Sequence, residues 1–254
     1  MEDIQNFLKE TVFCDFSSGK IKDLSVEIAK NCKSDREFAV AAFYWVRDNI
    51  LYRVGNWQRK ASQTLEEKSG TCTNKSNLLV ALLRYRKIPA GYGIMKVYGQ
   101  RYFGPIAISM LKKFVGRISI HIYPMVFLGS KWMKLDPDVD KKLSENTSYF
   151  NPTSKLIQWD GLSDAVLNIN KKDIIDDKFP VESVDPWMMK KSKNAKGIAL
   201  KIANIYIDFA RNNTEIVSSP ESLEVSFNKY LKGKHLFYFY LFKIISLFKD
   251  IKPN

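Results

Sequence analysis

The fold is decided by the stretch SGTCTNKSNLLVALLRYRKIPAGY, residues 69–92. Between residues 73 and 87 its apolar residues share one wide face, which predicts a helix that stops before Pro89. The residues that follow, 90–97, are typical of a β-strand. An apolar helix that leads directly into a strand predicts a domain built from both kinds of element.

Two further helical patterns lie upstream, within residues 22–52. They are separated by a break at residues 31–34. Ser34 followed by Glu37 three residues later is a capping-box start, so the second helix should begin there and end near Asn49. Spacings of three and four place its apolar residues on one face.

Two strand patterns lie downstream, at residues 118–128 and 131–135. Gly129 and Ser130 form a short connection of the hairpin type between them. Helices followed by antiparallel strands predict an α+β fold, with the N-terminal helices packed on one face of the sheet. We assign residues 1–167 to this core domain.

Residues 168–254 are interpreted as a C-terminal extension that is mostly helical. Prolines and scattered apolar residues between 141 and 196 predict an irregular wrap, whereas residues 198–210 have helical periodicity. The apolar tail, Leu236–Phe248, is too short to span a bilayer. Three interpretations of the tail stay open: a helix buried in the core, an anchor at a membrane surface or protein partner, and a dimer helix.

Composition narrows the classes of partner and compartment. The 254 residues carry a net charge of +13, which suits acidic partners. No basic cluster interleaved with aromatic residues is present, so we expect no nucleic acid. The three cysteines have no paired or zinc-type spacing, and the N-terminus lacks a secretory pattern. We therefore expect a cytoplasmic protein without a metal or another cofactor.

The search for catalytic groups is short because the chain has only two histidines, His121 and His235. Cys72 lies at the start of the predicted 73–87 helix, where the partial positive charge of the helix favours a thiolate. His121 lies on the predicted 118–128 strand, and hairpin pairing can bring Asp136 alongside it. A thiol, an imidazole and a carboxylate together predict an activated nucleophile.

These stretches resemble the transglutaminase-like superfamily, over roughly residues 20–165. In that family a Gly-x-Cys opens a long helix that ends in an Arg, a short turn and Ile-Pro-Ala. A histidine strand, a Gly-x-Trp turn and an Asp-Pro strand end follow. The segment 43–53 (FYWVRDNILYR) resembles the family's entry motif, and residues 150–167 resemble its bacterial and archaeal stand-alone members. The matching residues are Gly70, Cys72, Arg84, Ile88, Pro89, Ala90, His121, Gly129, Trp132, Asp136 and Pro137.

The resemblance implies a papain-like core and a thioester acyl-enzyme on Cys72, with His121 as acid and base and Asp136 as the group that orients it. It implies acyl transfer or amide hydrolysis on a peptide, protein or small acyl or amide substrate. The acyl donor and acceptor stay open. A non-catalytic binding or scaffold module is the alternative.

The oxyanion of such a reaction needs hydrogen-bond donors. The backbone N–H of Cys72 is one, and Trp57, Gln63 and Tyr52 are candidates for the second. Trp57 is slightly favoured because an indole N–H only donates. Residues 101–117 look like an insertion that lies near the site and shapes an acyl pocket or a lid. The chain has no acidic cluster of the calcium-binding type.

Overall fold

The computed structural model describes residues 4–103, 107–113, 115–148, 155–190, 197–213 and 219–249. Sequence predictions for residues 149–154, for 104–106 and 114, and for the side chains of 245–249 fall outside this set. Within it the chain mixes helices and an antiparallel sheet, which confirms the α+β prediction.

The N-terminal part is helical. A short 3-10 helix, Ile4–Leu8, is followed by α1 (Gly19–Ala29) and α2 (Asp35–Asn49). The Ser34 side chain accepts a hydrogen bond from the Glu37 backbone N–H, so the predicted start of α2 is confirmed. The next elements are β1 (Leu51–Tyr52), α3 (Ala61–Glu67) and β2 (Ser69–Gly70), with β1 and β2 paired in parallel.

Helix α4 (Cys72–Tyr85) is the central element of the core, and every residue from Thr73 to Arg84 is buried. Its second half supplies leucines to the main hydrophobic cluster. Its first half buries polar side chains, among them Lys75, whose ammonium donates to the carbonyl oxygens of Ile50 at 2.7 Å and Asp138 at 2.9 Å. These bonds fix the end of α2 and the segment after β5 to the same turn of α4.

The main sheet has four strands in the order β5-β4-β3-β6. They are β3 (Ala90–Tyr98), β4 (Ile118–Leu128), β5 (Lys131–Lys134) and β6 (Ile174–Val181), and every neighbouring pair is antiparallel. The turn between β4 and β5 has positive φ at both central residues, Gly129 and Ser130, as a tight two-residue hairpin requires. The predicted hairpin is confirmed.

Strand β6 corrects the prediction of an irregular wrap after residue 140. It lies beyond residue 167 but pairs with β3 in the core sheet. Its acidic residues and Pro180 concealed the pattern, since such residues are usual in edge strands. Asp177 accepts hydrogen bonds from the Tyr123 hydroxyl at 2.7 Å and the Lys134 ammonium at 2.8 Å. The polar side chain therefore joins three strands.

The described part of the chain contains seven further α-helices and a 3-10 helix, Lys171–Asp173. Two, α5 (Gly99–Phe103) and α6 (Ser109–Lys112), lie between β3 and β4, and α7 (Lys141–Thr147) follows β5. The others are α8 (Asp185–Lys190), α9 (Ile198–Asn212), α10 (Pro220–Lys234) and α11 (Leu236–Lys249). Helices α9 to α11 share a second apolar cluster with Ile108 and Leu111.

A buried ion pair joins this C-terminal layer to the core. The Arg211 guanidinium on α9 donates to both carboxylate oxygens of Asp140, at 2.9 and 3.1 Å, and to the Tyr52 carbonyl oxygen at 2.7 Å. The charge of Arg211 lowers the pKa of Asp140 although burial opposes it. Such a bidentate pair fixes orientation as well as position.

The apolar tail forms α11, only part of which is buried. Phe239 is 3% exposed and packs on the second cluster, whereas Phe237 is 71% and Ile244 51% exposed. The interpretation of the tail as a fully buried core helix is therefore wrong for these side chains. In the described part of the chain, no helix is both long and apolar enough to cross a membrane.

Candidate active site

Cys72 is the first residue of α4 and is half-buried. Thr71 caps the helix: its hydroxyl accepts from the Asn74 N–H, and the Asn74 side-chain oxygen accepts from the Thr71 N–H at 3.0 Å. The first N–H groups of a helix have no partner inside it, so the N–H of Cys72 points to where an anion can be stabilised.

His121 and Asp136 meet across the β4–β5 hairpin as diagonal neighbours. Met125 pairs with Lys134 and Leu128 with Lys131. If this register continues past Lys134, residue 136 lies opposite residue 123, two positions from His121 and on the same face of the strand. The His121 Nε2 lies 2.7 Å from the Asp136 Oδ2, and both side chains are buried. The carboxylate can therefore hold the ring in one orientation.

The other side of the imidazole faces Cys72 and Asp138. A donor atom from each of Cys72, His121 and Asp138 lies within 4.8 Å of the other two. The His121 Nδ1 lies 3.7 Å from the Asp138 Oδ2, which leaves Nδ1 as the nitrogen toward the sulfur because Nε2 is held by Asp136. Three groups that are distant in the sequence thus meet in one place.

The surroundings of His121 favour its charged form. Burial acts against the imidazolium, but the charge and hydrogen bond of Asp136, together with Cys72 and Asp138, outweigh it and raise the pKa of His121 well above its ordinary value. A protonated imidazole beside a sulfur is the setting in which a thiolate is stabilised.

Asp138 is a second carboxyl at the ring, and the sequence analysis does not name it as a site residue. Burial, with the nearby charge of Asp136, raises its pKa to about 8, against the pull of His121 and Lys75. Burial in turn lowers the pKa of Lys75 to about 8. The signal was present in the sequence, because residues two apart on an extended chain point to the same side.

A cavity of about 590 Å³ opens beside Cys72; we call it the Cys72 cavity. Trp57 and Tyr52 line it, together with Tyr102 from the predicted insertion. Burial, and after it the nearby negative groups at Asp136, Asp138 and Cys72, raise the pKa of Tyr102 well above its ordinary value. The prediction that the insertion lies near the site agrees with this placement.

The structure separates the three oxyanion candidates. The Trp57 Nε1 is buried and has no hydrogen-bond partner among the described residues, and Trp57 lines the Cys72 cavity. Tyr52 also lines it, and burial followed by the charges of Cys72 and Asp138 raises the pKa of its hydroxyl, so Tyr52 stays a donor. Gln63 is not brought to the cavity: its side-chain oxygen accepts from the Lys60 N–H at 3.0 Å and caps α3.

The donors at Cys72, His121 and Asp138 are also of the kinds that a zinc ion accepts. The same sulfur and ring nitrogen form the Cys–His pair of a nucleophilic site, and the sequence analysis expects no metal. No other group of three such side chains gathers within the described residues.

Comparison with known proteins gives a family match for part of the chain. Residues 22–137 match the family model described as the transglutaminase-like superfamily. No curated protein matches the chain.

Two solved structures show similarity to parts of the chain. A candidate cysteine protease from Cytophaga hutchinsonii is 23% identical, with a TM-score of 0.42 over 54% of this chain and 43% of that one. A candidate protease from Parabacteroides distasonis is 13% identical, with a TM-score of 0.36 over 52% of this chain and 25% of that one. This chain thus spans less than half the length of either protein.

The matched segment contains the geometry described above. It begins just before the middle of α1 and ends directly after Asp136, so Cys72, His121 and Asp136 all lie inside it. The segment that matches the transglutaminase-like superfamily model therefore carries all three of these side chains.

Proposed function

We propose that the protein is a cysteine acyl-transfer enzyme or amide hydrolase, with Cys72 as nucleophile, His121 as acid and base, and Asp136 as the residue that orients His121. One observation carries the proposal: the sulfur lies within 4.8 Å of the imidazole, whose far nitrogen is 2.7 Å from a buried carboxylate. This is the arrangement that activates a thiol toward carbonyl carbon.

In the first half of the reaction the Cys72 thiolate attacks the substrate carbonyl and a carbon–sulfur bond forms. The bond to the leaving amine or alcohol breaks, and the His121 imidazolium gives the leaving group its proton. In the second half water or an amine attacks the thioester, His121 takes its proton, and the thiolate leaves. The N–H groups of Cys72 and Trp57 would hold the oxyanion in both halves.

The proposed substrates are a peptide, a protein or a small acyl or amide compound. We also propose a cytoplasmic location, because all three cysteines are free and a reducing compartment keeps them so. The exposed apolar side chains of α11, with the lysines around them, keep open a contact with a membrane surface or a protein partner.

Competitive alkylation with iodoacetamide tests the nucleophile. We expect Cys72 to react at least tenfold faster than the other two cysteines. Burial raises the pKa of the Cys14 thiol to about 12 and that of the Cys32 thiol as well, so both are poor competitors. Peptide mass spectrometry after short exposure gives the three rates. Equal rates would favour the non-catalytic scaffold module instead.

A second measurement separates reactivity from turnover. Intact mass spectrometry after mixing with an activated ester should show one acyl group, absent in Cys72→Ala. His121→Ala should slow this acylation by about a thousandfold, because a positioned acid–base contributes roughly 10²–10⁴. Unchanged acylation in His121→Ala would remove the imidazole from the proposed mechanism.

A further inference from the structure

The Cys72 cavity is large enough for the acyl part of a substrate. Its volume of about 590 Å³ lies within the range of roughly 300–1,000 Å³ that is usual for small-molecule sites. Its lining comes from the loop after β1, the start of α4, the segment between β3 and β4, and α9. The nucleophilic sulfur belongs to this lining, so an occupant can lie in contact with it.

The lining of the Cys72 cavity contains a much smaller share of charged side chains than the chain as a whole. The chain has 40 Lys and Arg residues and 27 Asp and Glu residues. Among the described residues that line the cavity, Asp138 is the only one of these four types. Burial raises the pKa of this carboxyl and so disfavours its charged form. A charged occupant would lose its hydration here without gaining a partner.

Helix α9 shapes the wall on the C-terminal side. Its lining residues include Ala199, Ala203, Ile207 and Ala210, which recur at intervals of three and four and so share one face. Alanines on that face leave room that larger side chains would fill. The space next to the nucleophile therefore depends on small residues at these positions.

Two polar contacts hold this wall in place. The side chain of Asn204 on α9 accepts from the Val54 N–H at 3.0 Å and donates to the Val54 carbonyl oxygen at 2.8 Å. The Arg211–Asp140 pair fixes the end of the same helix. Helix α9 is thus hydrogen-bonded to the loop after β1, which lines the same cavity.

We propose that the Cys72 cavity receives an apolar acyl chain, so that the preferred acyl donors are esters, thioesters or amides of aliphatic acids of medium length. The inference rests on the proposed function, because it names the acyl donor of that reaction. The acyl carbonyl carbon lies at the Cys72 sulfur, and the chain extends between α9 and the segment that carries Tyr102.

An extended polar peptide fits this cavity less well. Peptides that dock in extended form use rows of backbone hydrogen bonds for affinity. The walls named above offer mostly aliphatic and aromatic side chains, with hydroxyl groups at a few places. After the first half of the reaction the thioester on Cys72 carries the acyl chain. The alcohol, thiol or amine leaves with the proton from His121.

The first test measures acylation with p-nitrophenyl esters of increasing chain length, from acetyl to octanoyl. We expect kcat/KM to rise by roughly threefold to fourfold per added methylene until the cavity is filled. Equal values for acetyl and octanoyl esters would overturn the proposal. That result would leave the proposed function intact, because both esters would still acylate Cys72.

The second test fills the cavity. Ala203→Phe should lower kcat/KM for the octanoyl ester by at least tenfold and change the acetyl value by less than about twofold. Ala199→Leu is a milder variant with the same expected direction, should the larger side chain prevent folding. Ala41→Phe is the matched control: Ala41 is also a half-buried alanine on a helix, but it lines a different cavity. An equal loss for both esters would contradict the proposal.

The third test needs no catalysis. A fluorescent medium-chain fatty-acid amide should bind to Cys72→Ala, and Ala203→Phe in the same background should weaken that binding by at least tenfold. Binding without any acylation of the wild-type protein would refute the proposed function but keep the apolar occupant. Acylation of wild type without such binding would keep the proposed function but refute the apolar occupant.

Discussion

The two sides of the Cys72 cavity are built on different principles. On one side, Cys72 and Asp138 line the cavity and lie within a few ångströms of the buried His121, which contacts Asp136. On the other side, α9 lines the cavity with alanines, aliphatic residues and Tyr206. The polar side lies almost entirely within the family match, whereas α9 lies outside it.

This difference indicates a division of roles. In the proposed reaction the polar side would activate any acyl donor whose carbonyl reaches the sulfur, so changes there should affect all donors alike. The apolar side can only distinguish donors by the size and polarity of their acyl group. Variants on the polar side should therefore lower kcat/KM by the same factor for short and long esters, unlike the cavity-filling variants.

Among variants that leave Cys72 and His121 in place, the largest uniform effect is expected at Trp57. Trp57→Phe keeps most of the apolar volume but removes the unpartnered N–H, and loss of one oxyanion donor costs about a hundredfold or more in kcat. The acetyl and octanoyl esters should be affected equally. Trp45→Phe, on the wall of the other cavity, is the matched control. A loss confined to the octanoyl ester would make Trp57 a wall residue and not a donor.

A smaller uniform effect is expected for Asp136→Asn. The amide keeps the volume and an acceptor for Nε2 but loses the charge that favours the imidazolium, so acylation should fall by roughly tenfold to a hundredfold. Asp136 raises the pKa of His121, hence the alkaline limb of the pH–rate profile should move to lower pH in the variant. Circular dichroism should show an unchanged fold. An unmoved alkaline limb would argue against this role of Asp136.

The smallest effect on rate, but a clear effect on stability, is expected for Asp138→Asn. The Asp138 carboxyl has an ordinary pKa of 3.8 and a pKa of about 8 in the folded protein. Between these values the folded state binds more protons than the unfolded state, so the free energy of unfolding falls as pH rises. Because the amide does not titrate, the decrease in the free energy of unfolding that this carboxyl causes should be absent in Asp138→Asn.

Urea denaturation at about pH 5 and about pH 8 measures that change. From the lower to the higher pH, the free energy of unfolding of Asp138→Asn should rise relative to that of wild type by on the order of 3 kcal/mol. Asp176→Asn, on the exposed edge strand, controls for the loss of a carboxyl elsewhere. An identical pH dependence in wild type and Asp138→Asn would show that Asp138 is not held neutral by its surroundings.

Much of the core was predictable from local patterns. The capped start of α2, the apolar face of α4 and the tight turn at Gly129–Ser130 each leave a periodic or conformational signal within a few residues. The same turn fixed the register that brings Asp136 to His121. Strand β6 was missed, because a proline and acidic residues conceal an edge strand whose partner, β3, lies about eighty residues earlier.

Local sequence patterns thus predict the helix that carries Cys72, the hairpin that brings Asp136 near His121, and the resemblance to the transglutaminase-like superfamily. Only the tertiary structure decided three other things: that Trp57 and not Gln63 lines the cavity, that Asp138 also reaches the imidazole, and that α9 closes an apolar wall beside the sulfur. The physical reason is the distance along the chain over which each kind of interaction acts. Hydrogen bonding and hydrophobic periodicity act between near neighbours in the chain, whereas a cavity is the space left when distant segments pack together.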